Sequence, residues 1–172
     1  FIEAIFLFGL FPYVAVLLRA VGELSDSIAG IVIGGFGLGG VTYTLTVSWL
    51  VRYLGERRLM AGGGMAMALA LSIFAYGASW QVEAVTFWLL GFGFYMLHGC
   101  VQVYVTELAP SARASATAGH SFFFFLGQAV GPVIYGIGLA SIGIVPVLLF
   151  GAAILAATGW TCALRLRHPQ PK

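Results

Sequence analysis

The sequence predicts an all-α membrane protein: six transmembrane helices, arranged as two groups of three in opposite orientation. Three observations predict it. The 172-residue chain is 60% hydrophobic and only 8% charged, whereas soluble domains carry about 25% charged residues. Its apolar runs are each about 20 residues long, enough to cross a bilayer. And LFGLFPY (7–13) is echoed by LLGFGFY (89–95). Gly9 and Tyr13 match Gly91 and Tyr95, each pair in the first helix of a group of three. Three is odd, so the groups point in opposite directions, as inverted repeats do.

The expected spans are 1–20, 27–51, 59–79, 84–106, 115–139 and 143–164, in one six-helix bundle covering residues 1–172. The separators are RAVGELSD, RYLGERR, SWQVE, ELAPSARAS, a brief SIG and the tail RLRHPQPK, none long enough for a soluble domain. With six crossings, Arg52, Arg57, Arg58, Arg113, Arg165, Arg167 and Lys172 share one side and Arg19 lies on the other. Cations mark the cytoplasmic side. The carboxyl terminus is therefore expected in the cytoplasm of a multi-pass protein of the inner or plasma membrane. The opening FIEAIFLFGLF has no basic start and no cleavage site, so no signal peptide is read. Residue 1 lies within an apolar run without an initiator Met, which suggests that an amino-terminal part precedes it.

The chemistry this excludes is broad. Eight basic residues against six acidic ones, with no basic stripe, disfavour nucleic acid. Cys100 and Cys162 lie in apolar runs without a CxxC or His/Cys cluster, so no metal site, disulfide or cofactor is expected. No GxSG serine, HExxH or paired-Asp arrangement supports an intramembrane enzyme. No pore loop or charged ring supports a channel.

Candidate functional residues follow from helical periodicity at 100° per residue. In the second span, Gly30/Gly34 and Gly35/Gly39 are both GxxxG pairs, which let helix backbones approach. Gly30, Gly34, Gly37, Thr44 and Ser48 share one face, read as a packing face. On the fourth span, Tyr95, His98, Gln102 and Thr106 share an arc. On the fifth, Thr117, His120, Phe124, Gln128 and Tyr135 do the same. Polar side chains within a span face the bundle interior or water, whereas the middle of the third span is almost wholly apolar. Phe124 shares the polar arc; Phe122, Phe123 and Phe125 point elsewhere, toward lipid or packing. His98 and His120 fall at similar depth on consecutive helices. They are expected near one another, where they bind or relay a proton or a polar substrate group. No carboxylate lies mid-span, Glu3 being the nearest exception. Glu107 at the rim is expected to pair with Arg113 or with Arg57 and Arg58, as a weak latch.

LVRYLGERRLM (50–60), ELAPSARASATAG (107–119) and GQAVGPVIYG (127–136) together resemble stretches of the major facilitator superfamily. LVRYLGERRLM (50–60) resembles the basic loop between the second and third helices of each half, with Leu54-Gly55 and Arg57-Arg58 fitting. Arg52 stands where Asp is usual and Glu56 where a basic residue is common. ELAPSARASATAG (107–119) resembles the cytoplasmic approach to the penultimate helix, through Pro110, Arg113, Ala114, Ala116 and Gly119. GQAVGPVIYG (127–136) resembles the antiporter motif through Gly127, Gly131, Pro132 and Gly136, with Tyr135 in place of a glycine. The resemblance implies the carboxyl-terminal six-helix half of a twelve-helix transporter. Such a protein moves a small solute by alternating access between two bundles. Aromatic residues beside sparse hydrogen-bonding groups suit an apolar or amphipathic solute, so proton-coupled efflux is the expected activity. Uptake of a small polar metabolite and a non-transporting scaffold are the alternatives. The expected cavity residues are Tyr13, Tyr95, His98, Gln102, His120, Phe124 and Gln128. Arg52, Glu56, Arg57, Arg58, Glu107 and Arg113 form the expected gate, and Gly30, Gly34, Gly127, Gly131 and Pro132 the expected helix packing.

Overall fold

The computed structural model describes residues 1–166. Arg167, His168 and Lys172 of the expected cytoplasmic tail lie outside the described residues. The elements are α1 (Ile2–Phe8), a 3-10 turn (Phe11–Tyr13), α2 (Val14–Ala20), α3 (Asp26–Ala75), α4 (Trp80–Leu108), α5 (Arg113–Ile142) and α6 (Ile144–Arg165). Among the described residues, five stretches are long and apolar enough to cross a membrane, α1 and α2 counting as one of them.

The first span is not the continuous helix expected over 1–20. Pro12 sits at the start of the 3-10 turn, and proline offers no N–H to the preceding helical ladder. The helix tightens there and resumes as α2.

α3 spans 50 residues, about 75 Å at 1.5 Å per residue, more than twice the hydrocarbon thickness of about 30 Å. It crosses as two arms. Gly55 has φ 72° and ψ 159°, a conformation essentially restricted to glycine, and it separates 26–54 from 56–75. The packing shows the reversal. Along the first arm, Gly35 meets Ala84, Gly39 meets Trp88 and Phe92, and Gly40 meets Tyr95 of α4, in rising order. Along the second arm the order falls: Gly63 meets Gly93 and Leu97, while Phe74 meets Phe87. The first arm therefore runs parallel to α4 and the second antiparallel. The second arm also packs on α6, through Gly64 against Gly159.

The inverted repeat is visible in these contacts. Gly9 of the first span lies against Gly131 of α5, just as Gly91 of α4 lies against Phe36 of the first arm of α3. The first helix of each trio thus packs on the middle helix of the other. Two tyrosines reinforce the former pair. The Tyr13 hydroxyl donates to the Pro132 carbonyl at 2.7 Å, and the Tyr135 hydroxyl donates to the Phe6 carbonyl at 2.8 Å.

The glycine packing of the second span differs from the expectation. Gly30, Gly34 and Gly37 have nothing within 4 Å of an added Cβ, whereas a Cβ at Gly39 would stand 2.2 Å from the Trp88 carbonyl oxygen. The Gly35/Gly39 pair packs, and the Gly30/Gly34 pair faces outward with Thr44 and Ser48. In α5 both expected glycines are packed: a Cβ at Gly127 would meet the Phe1 carbonyl oxygen at 2.5 Å, and one at Gly131 the Ile5 carbonyl oxygen at 2.7 Å.

Candidate functional site

α4 and α5 carry the two intramembrane histidines, and α1 brings a carboxylate to them. The His98 and His120 rings lie with centroids 5.2 Å apart. His98 Nδ1 lies 3.3 Å from Glu3 Oε2. Glu3 is 8% exposed, and its second oxygen, Oε1, is buried with no hydrogen-bond partner among the described residues. His98 stands ten residues before the end of α4 at Leu108, about 15 Å inside the helix. Glu3 is therefore at the depth of the histidines, not at a rim.

Aromatic rings enclose this cluster. Phe94 stacks on His98 at 4.8 Å, and Phe124 lies 4.7 Å from it. Phe8 joins them, 5.3 Å from Phe94 and 5.6 Å from Phe124. Phe124 is half-buried in this group, while Phe122, Phe123 and Phe125 are exposed. A carboxylate, two imidazoles and a shell of faces with negative quadrupole can hold a proton or a cationic or hydrogen-bonding group in an otherwise apolar setting.

The remaining expected cavity residues stand outside this cluster. Tyr13 is spent on Pro132, because the 3-10 turn carries its ring across to α5. Tyr95 turns toward the first arm of α3, where it borders a shallow recess with Gly37, Gly40 and Thr44. Gln102 is exposed, and Gln128 is half-buried one helical turn beyond Phe124. Tyr135, on the same arc as His120, is 1% exposed and bound to α1 rather than facing a passage.

Phe94 stands one turn before His98 on α4, within reach of helical periodicity, whereas Phe8 and above all Glu3 come from another helix. Glu3 was visible as an acid in an apolar segment, which is itself a signal of interior function. Its partner lies 95 positions away.

Four of the expected gate residues adjoin the Gly55 break. Arg52, Glu56, Arg57 and Arg58 border an open recess of about 1050 Å³. Arg57 Nε donates to the Ala163 carbonyl at 3.0 Å, near the carboxyl end of α6, where orphan carbonyls accept cationic donors. This contact places Gly55 and the end of α6 at the same end of the bundle. α4, parallel to the first arm, ends there too, followed by Arg113. Among the described residues, Arg19 stands at the opposite end, paired with Asp26.

A family model described as the Major Facilitator Superfamily matches residues 1–172. The chain belongs to the Major Facilitator Superfamily. Its members are transporters rather than enzymes, so this chain is a multi-pass membrane protein of a transporter family. Searches of curated proteins and of solved structures gave no match.

Proposed function

We propose that this superfamily chain is the carboxyl-terminal half of a twelve-helix secondary transporter. In this reading it exports a small apolar or amphipathic solute in exchange for protons, and Glu3, His98 and His120 form the proton-handling centre. The observation that carries the reading is the buried Glu3–His98 contact with His120 alongside. Burying a charge is costly unless it is paired. A proton moving onto or off the cluster changes the number of charges held there, and so changes which arrangement of α1, α4 and α5 is favoured. His98 Nδ1 can donate to Glu3 Oε2, and Glu3 Oε1 is left to receive a proton or a donor group of the solute. The rings of Phe8, Phe94 and Phe124 supply the apolar wall against which such a solute would lie. The basic end at Gly55 faces the cytoplasm in this reading.

The test is transport by the full protein in proteoliposomes under an imposed proton gradient, with a panel of apolar and amphipathic fluorescent dyes. Gradient-driven dye movement is expected in the wild type and lost in Glu3→Gln and His98→Ala. A gradient without effect on every dye, or an unchanged gradient dependence in both variants, refutes the assignment. Uptake instead of export would reverse the sign of dye movement and leave the proton-handling role in place.

A further inference from the structure

A second buried carboxylate lies at the end of the bundle remote from Gly55. Glu83 sits in the first turn of α4 and is 1% exposed. Its Oε1 accepts the Ala78 backbone N–H at 2.8 Å, closing the turn that precedes the helix. Its Oε2 is buried and has no hydrogen-bond partner among the described residues. Glu83 lines a half-enclosed cavity of about 170 Å³, whose other walls include Leu17, Leu18, Phe74, Gly77 and Val145.

Glu83 is the one charged residue lining that cavity among the described residues. Arg19, the cation at this end of the bundle among the described residues, is already paired with Asp26. Carbonyl ends of α2 and α3 and the amino ends of α4 and α6 all reach this region, so helix dipoles of both signs meet and the carboxylate decides the polarity. The walls are mostly alkyl and aryl, so water in the cavity meets few polar partners there. The space matches a small ring: a cavity of about 150 Å³ lined by Leu, Ile and Phe accepts benzene. A carboxylate takes its strongest hydrogen bonds from cationic donors.

We infer that this cavity is a binding site for a primary ammonium on a small apolar body, with an N–H of the ligand donating to the Glu83 carboxylate. The site lies apart from Glu3, His98 and His120 and does not depend on their role. The ammonium has two sources, a free amine or the headgroup of a phosphatidylethanolamine lipid.

Benzylammonium is the probe, titrated against the full chain in phosphatidylcholine nanodiscs by saturation-transfer NMR. Saturable binding is expected, with benzyl alcohol, the same body with a neutral head, at least tenfold weaker. Glu83→Gln is expected to weaken benzylammonium at least tenfold, and Val145→Trp to remove binding by filling the space. Repeating the titration in phosphatidylethanolamine nanodiscs separates the sources. A tenfold loss there identifies the lipid ammonium as occupant, and unchanged affinity identifies a free amine; both support the site. Absence of saturable binding in phosphatidylcholine, equal affinity for benzyl alcohol, or full affinity in Glu83→Gln overturns it.

Discussion

Gly34 and Gly39 show how differently one residue type can be used on one helix. A Cβ at Gly39 would stand 2.2 Å from a backbone oxygen of α4, while one at Gly34 would meet nothing. Gly39→Leu is therefore expected to cost about 1–3 kcal/mol or more by overpacking, and Gly34→Leu close to nothing within this bundle. Thermal unfolding of the two variants in one detergent checks this, and equal shifts would refute the packing assignment. The sequence offered both GxxxG pairs, and periodicity alone could not choose between two adjacent faces of small residues. Tyr13, an expected cavity residue, and Tyr135, on the polar arc of the fifth span, both give their hydroxyls to backbone carbonyls across the bundle. Tyr135→Phe should lose about 0.5–1.5 kcal/mol. A double-mutant cycle with Tyr13→Phe should reveal coupling, since both bonds join the same two helices.

Among the elements, α3 depends most on one backbone position. Gly55 holds a positive φ at the reversal, so Gly55→Val is expected to cost about 1–3 kcal/mol. Faster proteolysis between the two arms in membranes is the measurable sign; a cleavage rate equal to that of the wild type contradicts it. The reversal itself was legible, because RYLGERR interrupts two apolar runs and its cations cannot stay in hydrocarbon. The broken first span was less so. Pro12 carried the signal, but hydropathy averages over a window and smooths such a break away. Arg57 adds a prediction at α6. Its bond to the Ala163 carbonyl restrains the last turn, so Arg57→Ala should speed amide exchange there, from Ala163 to Leu166, and leave the middle of α6 unchanged.

At the scale of the molecule, topology was the most legible property, since six runs and one-sided cations are summed over many residues. The candidate site was half legible. His98 and His120 announced themselves as rare polar groups on neighbouring helices, while Glu3 enters by tertiary packing between residues 95 positions apart. The charge asymmetry yields a direct check: cysteines at positions 19 and 58 should be labelled from opposite faces of a vesicle, and labelling of both from one face contradicts the reversal at Gly55. One consequence concerns the paired tyrosine bonds. They clasp the first and fifth helices at two levels, so these two swing together like the leaves of a locked door. Glu3 and His120 ride on that door, whereas His98 belongs to the frame. Parting the acid from its imidazole therefore means sliding the fourth helix past the other two.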